Sequence, residues 1–385
     1  MKKGAQAIAH QLVEWRRTFH RQPELGFQVF ETAERVSQIL QGLGWRVQTG
    51  VGRTGVIGEL GSGEPVLAIR ADMDALPIQE TNDVPYASQV EGRMHACGHD
   101  AHTAMLLGVA ALLSNQRFAG TVRLLFQPSE EVADEEGVSG APRMIEDGAM
   151  QGVSQVLALH VAPAMSVGCI QVGSGAASGG VDSFFAAILG KSGHGAHPHE
   201  TVDPIYLAAH VILALHGIVS RRVDPLAPAV VSLGSLHGGA AQNIIPDRVD
   251  LTGTIRFMHP AVQQQIHTEI EHAFQIARTL GGDFVLRFET GSQPMYNHPQ
   301  AAALIEQAAE KVIGVQNILP PVATMGAEDF GAFSALAPGA MFSLGCRIEG
   351  DERMLHNSRF DLDESCLPLG TAILAQAALD FFNKA

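Results

Sequence analysis

The sequence predicts an α/β chain: a mixed, mostly parallel sheet flanked by helices, interrupted by an inserted α+β domain. Two observations carry this expectation. Short apolar runs alternate with helical periodicity over residues 1–180 and again from Ala301, the pattern of a parallel sheet covered on both faces. Between Val181 and Pro294 the texture changes to strands of alternating polarity between long helices, as in a sheet with one wet face. The 41 glycines among 385 residues suit tight turns between sheet and helix. At roughly 150 residues per domain, this length suggests two domains.

The first element is a helix over 5–19, because Ile8, Leu12, Trp15 and Phe19 recur at spacings of three and four. A second helix over 31–42 ends at glycine, a common helix stop. Residues 66–70 form a short buried strand, with Asp72 and Asp74 directly after it. An apolar helix over 101–113 places Cys97 and His99 in the turn leading into it. The strand over 121–126 ends just before Glu130 and Glu131, and that over 156–159 is followed at once by His160. A late strand over 340–344 precedes His356 across a glycine-containing loop. Apart from the Cys97 cluster, each of these polar residues falls just beyond a strand end, where open α/β sheets bind ligands. In the insertion, strands at 184–189, 230–233 and 249–256 and helices at 203–219 and 260–280 fit a β-α-β-β-α-β order, the ferredoxin-like split. The expected domains are 1–180 and 295–385 for the main body and 181–294 for the insertion.

A net charge of −15 with no Lys/Arg block argues against nucleic acid and anionic membrane as partners. No unbroken apolar run approaches the ~18 residues of a membrane span, and the polar, amphipathic N-terminus lacks a signal-peptide core. The four cysteines are scattered without a C-x-x-C pair, so a cytoplasmic location is expected rather than a disulfide framework.

Chemistry concentrates in Met94-His95-Ala96-Cys97-Gly98-His99-Asp100-Ala101-His102, which packs a thiol, three imidazoles and a carboxylate into nine residues. Thiolate, neutral imidazole and carboxylate are the ligands of divalent transition metals. Two such ions about 3.5–4 Å apart can share a water and clamp a hydrolytic transition state, given five or six protein ligands and a carboxylate outside the ligand set to take the proton. Cys97, His99, Glu131, His160 and His356 supply five ligands, and Glu130 is left as general base. Taken singly these residues are ordinary: a cysteine before a helix is usually a small buried hydrophobe, and a glutamate pair is most often a solvated loop. Their joint placement points to a site. Cys169, Cys346 and Cys366 have no such neighbours and read as structural.

The set resembles the amidohydrolase branch of the dinuclear-metal aminoacylase/carboxypeptidase family, which includes hippurate hydrolases, N-acyl-amino-acid amidohydrolases and auxin–amino acid conjugate hydrolases. The matching segments are Arg70-Ala71-Asp72-Met73-Asp74-Ala75-Leu76-Pro77, the Cys97/His99 cluster, Phe126-Gln127-Pro128-Ser129-Glu130-Glu131, Gly326-Ala327-Glu328-Asp329-Phe330 and Leu355-His356-Asn357, in the family's order along nearly the whole chain. The resemblance implies a zinc-exopeptidase-like catalytic domain with two metals and an inserted lid domain that often carries a dimer contact. Cys97, His99, Glu131, His160 and His356 match its metal ligands, Glu130 its general base, and Asp74 an aspartate that orients a ligand. Asp72 stands where the wider family has a metal-binding histidine; it and Asp100 are expected beside the ligands rather than among them. In Gly193-His194-Gly195-Ala196-His197-Pro198-His199, His194 matches the lid histidine that polarises the substrate carbonyl, while His197 and His199 stay unassigned. Asn243 and Arg256 match positions that hold the substrate carboxylate, a task suited to the guanidinium fork.

The implied activity is cleavage of N-acyl amino acids to a carboxylate and a free amino acid, by a metal-bound hydroxide with Glu130 as base. Small-peptide hydrolysis at the same site, or binding of acylated amino acids without turnover, are the alternatives. Thiolate softness favours zinc over manganese, and the resembled branch also includes manganese, nickel and cobalt enzymes.

Overall fold

The structure, a computed structural model, describes residues 1–383. Two compact units emerge: Met1–Ala177 with Tyr296–Val322 and the residues from Asp329 onward, and Ser178–Met295 with Ala323–Glu328.

The first unit is built on an eight-stranded mixed sheet in the order Arg46–Val51, Gly55–Ser62, Gly120–Gln127, Val66–Asp72, Val153–Ser166, Gly339–Arg347, Ile170–Gln171, Ile318–Leu319. Its central strands, Gly120–Gln127, Val66–Asp72, Val153–Ser166 and Gly339–Arg347, run parallel. Val66–Asp72 is buried along its whole length, which is why Val66 to Ile69 read as a continuous apolar run rather than an alternating one. The helix His99–Leu113 is buried on nearly every side and is correspondingly apolar all round. The helix expected over 5–19 is two helices, Lys2–Ala7 and Ala9–Arg21, interrupted at Ile8, whose ψ of 11° leaves the helical range.

The second unit has a four-stranded antiparallel sheet in the order Ala229–Gly238, Arg248–Phe257, Gly180–Leu189, Asp283–Thr290. Helices Pro204–Arg221 and Pro260–Thr279 complete the β-α-β-β-α-β order around a separate apolar core. Asp203 starts the first of these by accepting the Ile205 and Tyr206 N–H groups.

Pro204–Arg221 and Glu364–Phe382 match a membrane span in length and mean hydropathy, although polar residues interrupt both. Glu364–Phe382 is mostly buried in the first unit, and Pro204–Arg221 sets Leu207, Val211, Leu215 and Ile218 into its own core.

One buried ion cluster ties the helix Ala9–Arg21 to the segments that carry the candidate ligands. The fully buried Arg16 donates from Nε to Asp100 at 2.8 Å, from Nη2 to Asp361 at 2.8 Å and from Nη1 to Glu364 at 3.2 Å. The Asp100 carboxylate also meets His20 Nδ1 at 2.8 Å. Burial alone would push the Asp100 carboxyl up, but Arg16 and His20 hold it well below the usual carboxylate range. Arg16→Ala strands these carboxylates without their cation and should cost about 3–5 kcal/mol in denaturant unfolding at neutral pH. A depressed folded-state value stabilises above the unfolded value of about 3.9 and is lost as pH falls through the folded one. The gap between wild type and variant should therefore narrow below about pH 4, which unfolding curves at several pH values will check.

Candidate metal centre

In-register parallel pairing of Val66–Asp72 with Gly120–Gln127 sets Asp72 opposite Gln127, and the Met73 N–H continues the ladder to the Gln127 carbonyl at 2.8 Å. The chain beyond one strand is thereby held against the chain beyond the other. Asp74 accepts the Glu130 N–H on Oδ1 at 3.0 Å and the Glu131 N–H on Oδ2 at 3.1 Å. Ser129, just before the pair, sits at φ +50°, a sparsely populated conformation for a residue with a side chain.

The Cys97 turn is shaped by Gly98, at φ +89°, where a Cβ would lie 2.4 Å from a Val161 methyl. His99 is the first residue of the helix, not part of the turn as the sequence suggested; Cys97 is in the turn. Asp72 ends its strand, and His160 lies inside Val153–Ser166 rather than after it. That strand outruns its apolar stretch because pairing with Gly339–Arg347 is a backbone matter and continues through His160, opposite Ser343. His356 occupies an exposed loop at φ +57°, its N–H bound to the Ala96 carbonyl at 2.8 Å.

All five predicted ligands come together. Ligand atoms of Cys97, His99 and His160 lie within 4.8 Å of one another, as do those of Cys97, Glu131 and His356, so that Cys97 belongs to both groups. Cys97 Sγ is 3.4 Å from His160 Nε2, and His356 Nε2 is 3.2 Å from Glu131 Oε1. Glu130 and Glu131 also group with His99.

The donor set fits divalent cations on three counts. His99 and His160 each direct Nδ1 to a backbone carbonyl, of Asp74 and Val161, at 2.8 Å. A carbonyl only accepts, so Nδ1 carries the hydrogen, as is usual for a metal-ligating histidine. The buried His99 Nε2 has no hydrogen-bond partner among the described residues, and Glu131 Oε1 is approached by the His356 ring at 3.2 Å. The electrostatics agree: although burial pushes the Cys97 thiol up, His160 and His99 pull it down to about 6. Contacts with Cys97 and Glu131 raise His356 to about 10. The cluster concentrates negative charge and draws positive charge to it.

Asp72 and His102 also approach His99, yet their polar atoms are engaged elsewhere. Asp72 Oδ2 takes Arg70 Nη1 at 2.7 Å and Oδ1 takes His102 Nδ1 at 2.6 Å, while His102 Nε2 accepts the Val161 N–H at 3.0 Å. Burial lowers His102 to about 4, keeping it neutral. Asp100 turns away to Arg16 and His20, and the buried His95 packs 6.3 Å from the His20 ring. Asp329, from a segment singled out by resemblance but given no role, accepts from Arg70 Nη2 at 3.1 Å, Gln127 Nε2 at 2.8 Å, Ser139 Oγ at 2.7 Å and the Ala141 N–H at 3.0 Å. His102 carried a sequence signal, its place in the imidazole cluster, but not what its nitrogens do.

His194, Asn243 and Arg256 belong to the second unit. Gly193–His194 pairs with Ile244–Ile245, and the Gly195 N–H reaches the Asn243 carbonyl at 2.8 Å, so His194 and Asn243 lie on adjoining segments. His194 Nδ1 accepts the Ala196 N–H at 3.0 Å. His197 and His199 are exposed, in ring contact with each other at 6.0 Å. The half-buried Arg256 has no ion-pair partner among the described residues, and burial lowers its pKa.

The model of peptidase family M20/M25/M40 matches residues 68–380. The chain belongs to this family. As an M20-family hydrolase it is 37% identical to thermostable carboxypeptidase 2 of Saccharolobus solfataricus, over 100% of this chain and 98% of that one. It is 37% identical to N-acetyl-L-cysteine deacetylase of Bacillus subtilis, over 96% and 88% of the two chains. With the Arabidopsis thaliana IAA-amino acid hydrolase ILR1-like 2 it shares 36%, over 97% and 85%. Among solved structures, a Bacillus subtilis dinuclear metal binding peptidase from the M20 family superposes with a TM-score of 0.84 at 32% identity, over 99% and 100% of the chains.

Asp74→Ala removes the acceptor for both glutamate amides while leaving the strands paired. It should weaken metal binding 10–100-fold, the usual effect of losing a group that orients ligands, in a chelator-competition titration, with the far-ultraviolet circular dichroism unchanged.

Proposed function

We propose that this M20-family hydrolase cleaves the amide bond of N-acyl amino acids, releasing a carboxylate and a free amino acid. Two divalent ions would be held by Cys97, His99, Glu131, His160 and His356, with Glu130 as general base. The observation that carries this reading is the pair of three-residue groups sharing Cys97 beside the Glu130–Glu131 turn. When bound, the ions supply Lewis acidity toward the amide carbonyl and make a water acidic near neutral pH. Glu130 takes the proton of the attacking water on a carboxylate oxygen and returns it to the amine nitrogen as the C–N bond breaks. His194 accepts a backbone N–H on Nδ1, so its neutral ring carries the hydrogen on Nε2 and donates it to the developing oxyanion. Arg256, desolvated and without an ion-pair partner among the described residues, takes the substrate carboxylate, assisted by Asn243.

The N-acyl substrate class draws on the relatives named for deacetylating N-acetyl-L-cysteine and hydrolysing IAA-amino acids. A second reading, small-peptide hydrolysis at the same site, draws on the carboxypeptidase relative. Amine release from matched panels of N-acyl amino acids and dipeptides, with and without chelator, separates them. N-acyl amino acids should be the better substrates, and chelator should abolish turnover.

Glu130→Gln should retain both metals and lose turnover by ~100- to 10,000-fold, the usual worth of general acid–base catalysis. Glu131→Gln should instead lose metal. Elemental analysis beside initial rates checks both, and reversed phenotypes would exchange the two assignments.

If Arg256 holds the free carboxylate, amidated N-acyl amino acids leave a desolvated guanidinium unmatched, a penalty of roughly 2–5 kcal/mol. Wild type should strongly prefer acids over amides in kcat/KM, and Arg256→Ala should erase most of that preference. Equal rates on both substrates with wild type would remove the carboxylate clamp.

A further inference from the structure

We propose that His102 is a positioning residue that braces the Cys97/His99/His160 half of the cluster through one hydrogen bond at each ring nitrogen. This rests on the dinuclear reading above. His102 follows His99 by three residues on the same helix, which sets the two rings on one face, with centroids 5.5 Å apart. Its ring also meets that of His160 edge-on at 4.7 Å. The Val161 amide can only donate, so the 3.0 Å bond it makes fixes Nε2 as acceptor and puts the ring hydrogen on Nδ1. From there it is donated to Asp72 Oδ1 at 2.6 Å, and Asp72 Oδ2 lies 3.6 Å from His99 Nε2. One ring thus joins the backbone beside His160 to the carboxylate beside His99. With both nitrogens engaged, it serves the ligands without being one.

The other half of the cluster is held by different groups. Glu131 is fixed through its amide by Asp74, and His356 through its amide by Ala96. Loss of the brace should therefore be felt on one side. Leucine and phenylalanine supply neither bond, whereas glutamine can accept through its carbonyl oxygen and donate through its amide nitrogen.

The experiment uses the full-length wild type and the variants His102→Leu, His102→Phe and His102→Gln. Bound metal per chain is measured after dialysis, and each protein is titrated with cobalt(II) while its thiolate charge-transfer absorption is followed. Thermal melting of each metal-free protein checks the fold, and the two apolar variants differ in volume so that either can serve. Wild type should bind two ions. The apolar variant should keep one and weaken the other 10–100-fold, and His102→Gln should recover most of the lost affinity. Two ions bound at wild-type affinity by a folded apolar variant, equal weakening of both ions, or a glutamine variant no better than leucine would overturn the brace. A wild-type chain binding fewer than two ions overturns the dinuclear reading itself, and the brace with it.

Discussion

Asp74 is the residue on which the geometry of the centre turns. Its two carboxylate oxygens accept the amides of Glu130 and Glu131, and its carbonyl accepts Nδ1 of His99. Two stretches of chain, one with the candidate base beside a candidate ligand and one that begins the His99 helix, are thereby referred to a single residue. Asp74 can do this because it lies two residues past a buried parallel strand, where the Met73–Gln127 bond fixes the spacing between the two strand ends. A carboxylate that accepts two amide hydrogens has little freedom left, and neither has the turn it holds. The left-handed conformation of Ser129 is a local cost of that turn, kept because the surroundings over-determine it.

Around this point the fold buries charge and compensates it locally. Arg70 lies between Asp72 and Asp329, and Asp329 collects further donors from Gln127, Ser139 and the Ala141 amide. Arg16 plays the corresponding part between Asp100, Asp361 and Glu364. Buried pairs of this kind contribute little net stability over apolar packing, yet breaking one is expensive. What they supply here is registry: each joins a strand end or helix start at the centre to an element far away in sequence.

The gathering of the five candidate ligands and Glu130 was legible because metal-ligating residue types stand out against the apolar runs beside them. Glu130, Glu131 and Asp74 do lie past strand ends. His160 and Asp72 do not, because the sequence marks where side chains stop being apolar while the strand continues on backbone pairing alone. The break at Ile8 left no trace in the spacing of apolar residues, since both short helices bury the same side of the chain. The order of the inserted unit was legible in its periodicities, including a final strand, Asp283–Thr290, that the pattern required without locating. Long-range partners were not. Nothing near His102 announces that its tautomer is set by the amide of Val161, and nothing near Arg16 points to Asp361.

On the dinuclear reading the two halves of the centre differ in kind. The Cys97/His99/His160 half faces the interior: Cys97 and His99 are buried, and Asp72, His102 and Arg70 stand behind them with every hydrogen bond directed. The other half ends in His356, exposed on a loop and held mainly through its backbone. Each Asp72 oxygen accepts one hydrogen bond, from Arg70 or from His102, which ties the carboxylate to the groups behind the centre. The negative charge offered directly to two divalent ions is then that of the Cys97 thiolate and Glu131, with Glu130 alongside. This falls short of four positive charges, and under the proposed function the remaining positive charge would favour a hydroxide over water and draw in the carboxylate of an acylated amino acid. Cys97 belongs to both groups, so on that reading one thiolate would lie within reach of either cation where two separate anions would neutralise them further.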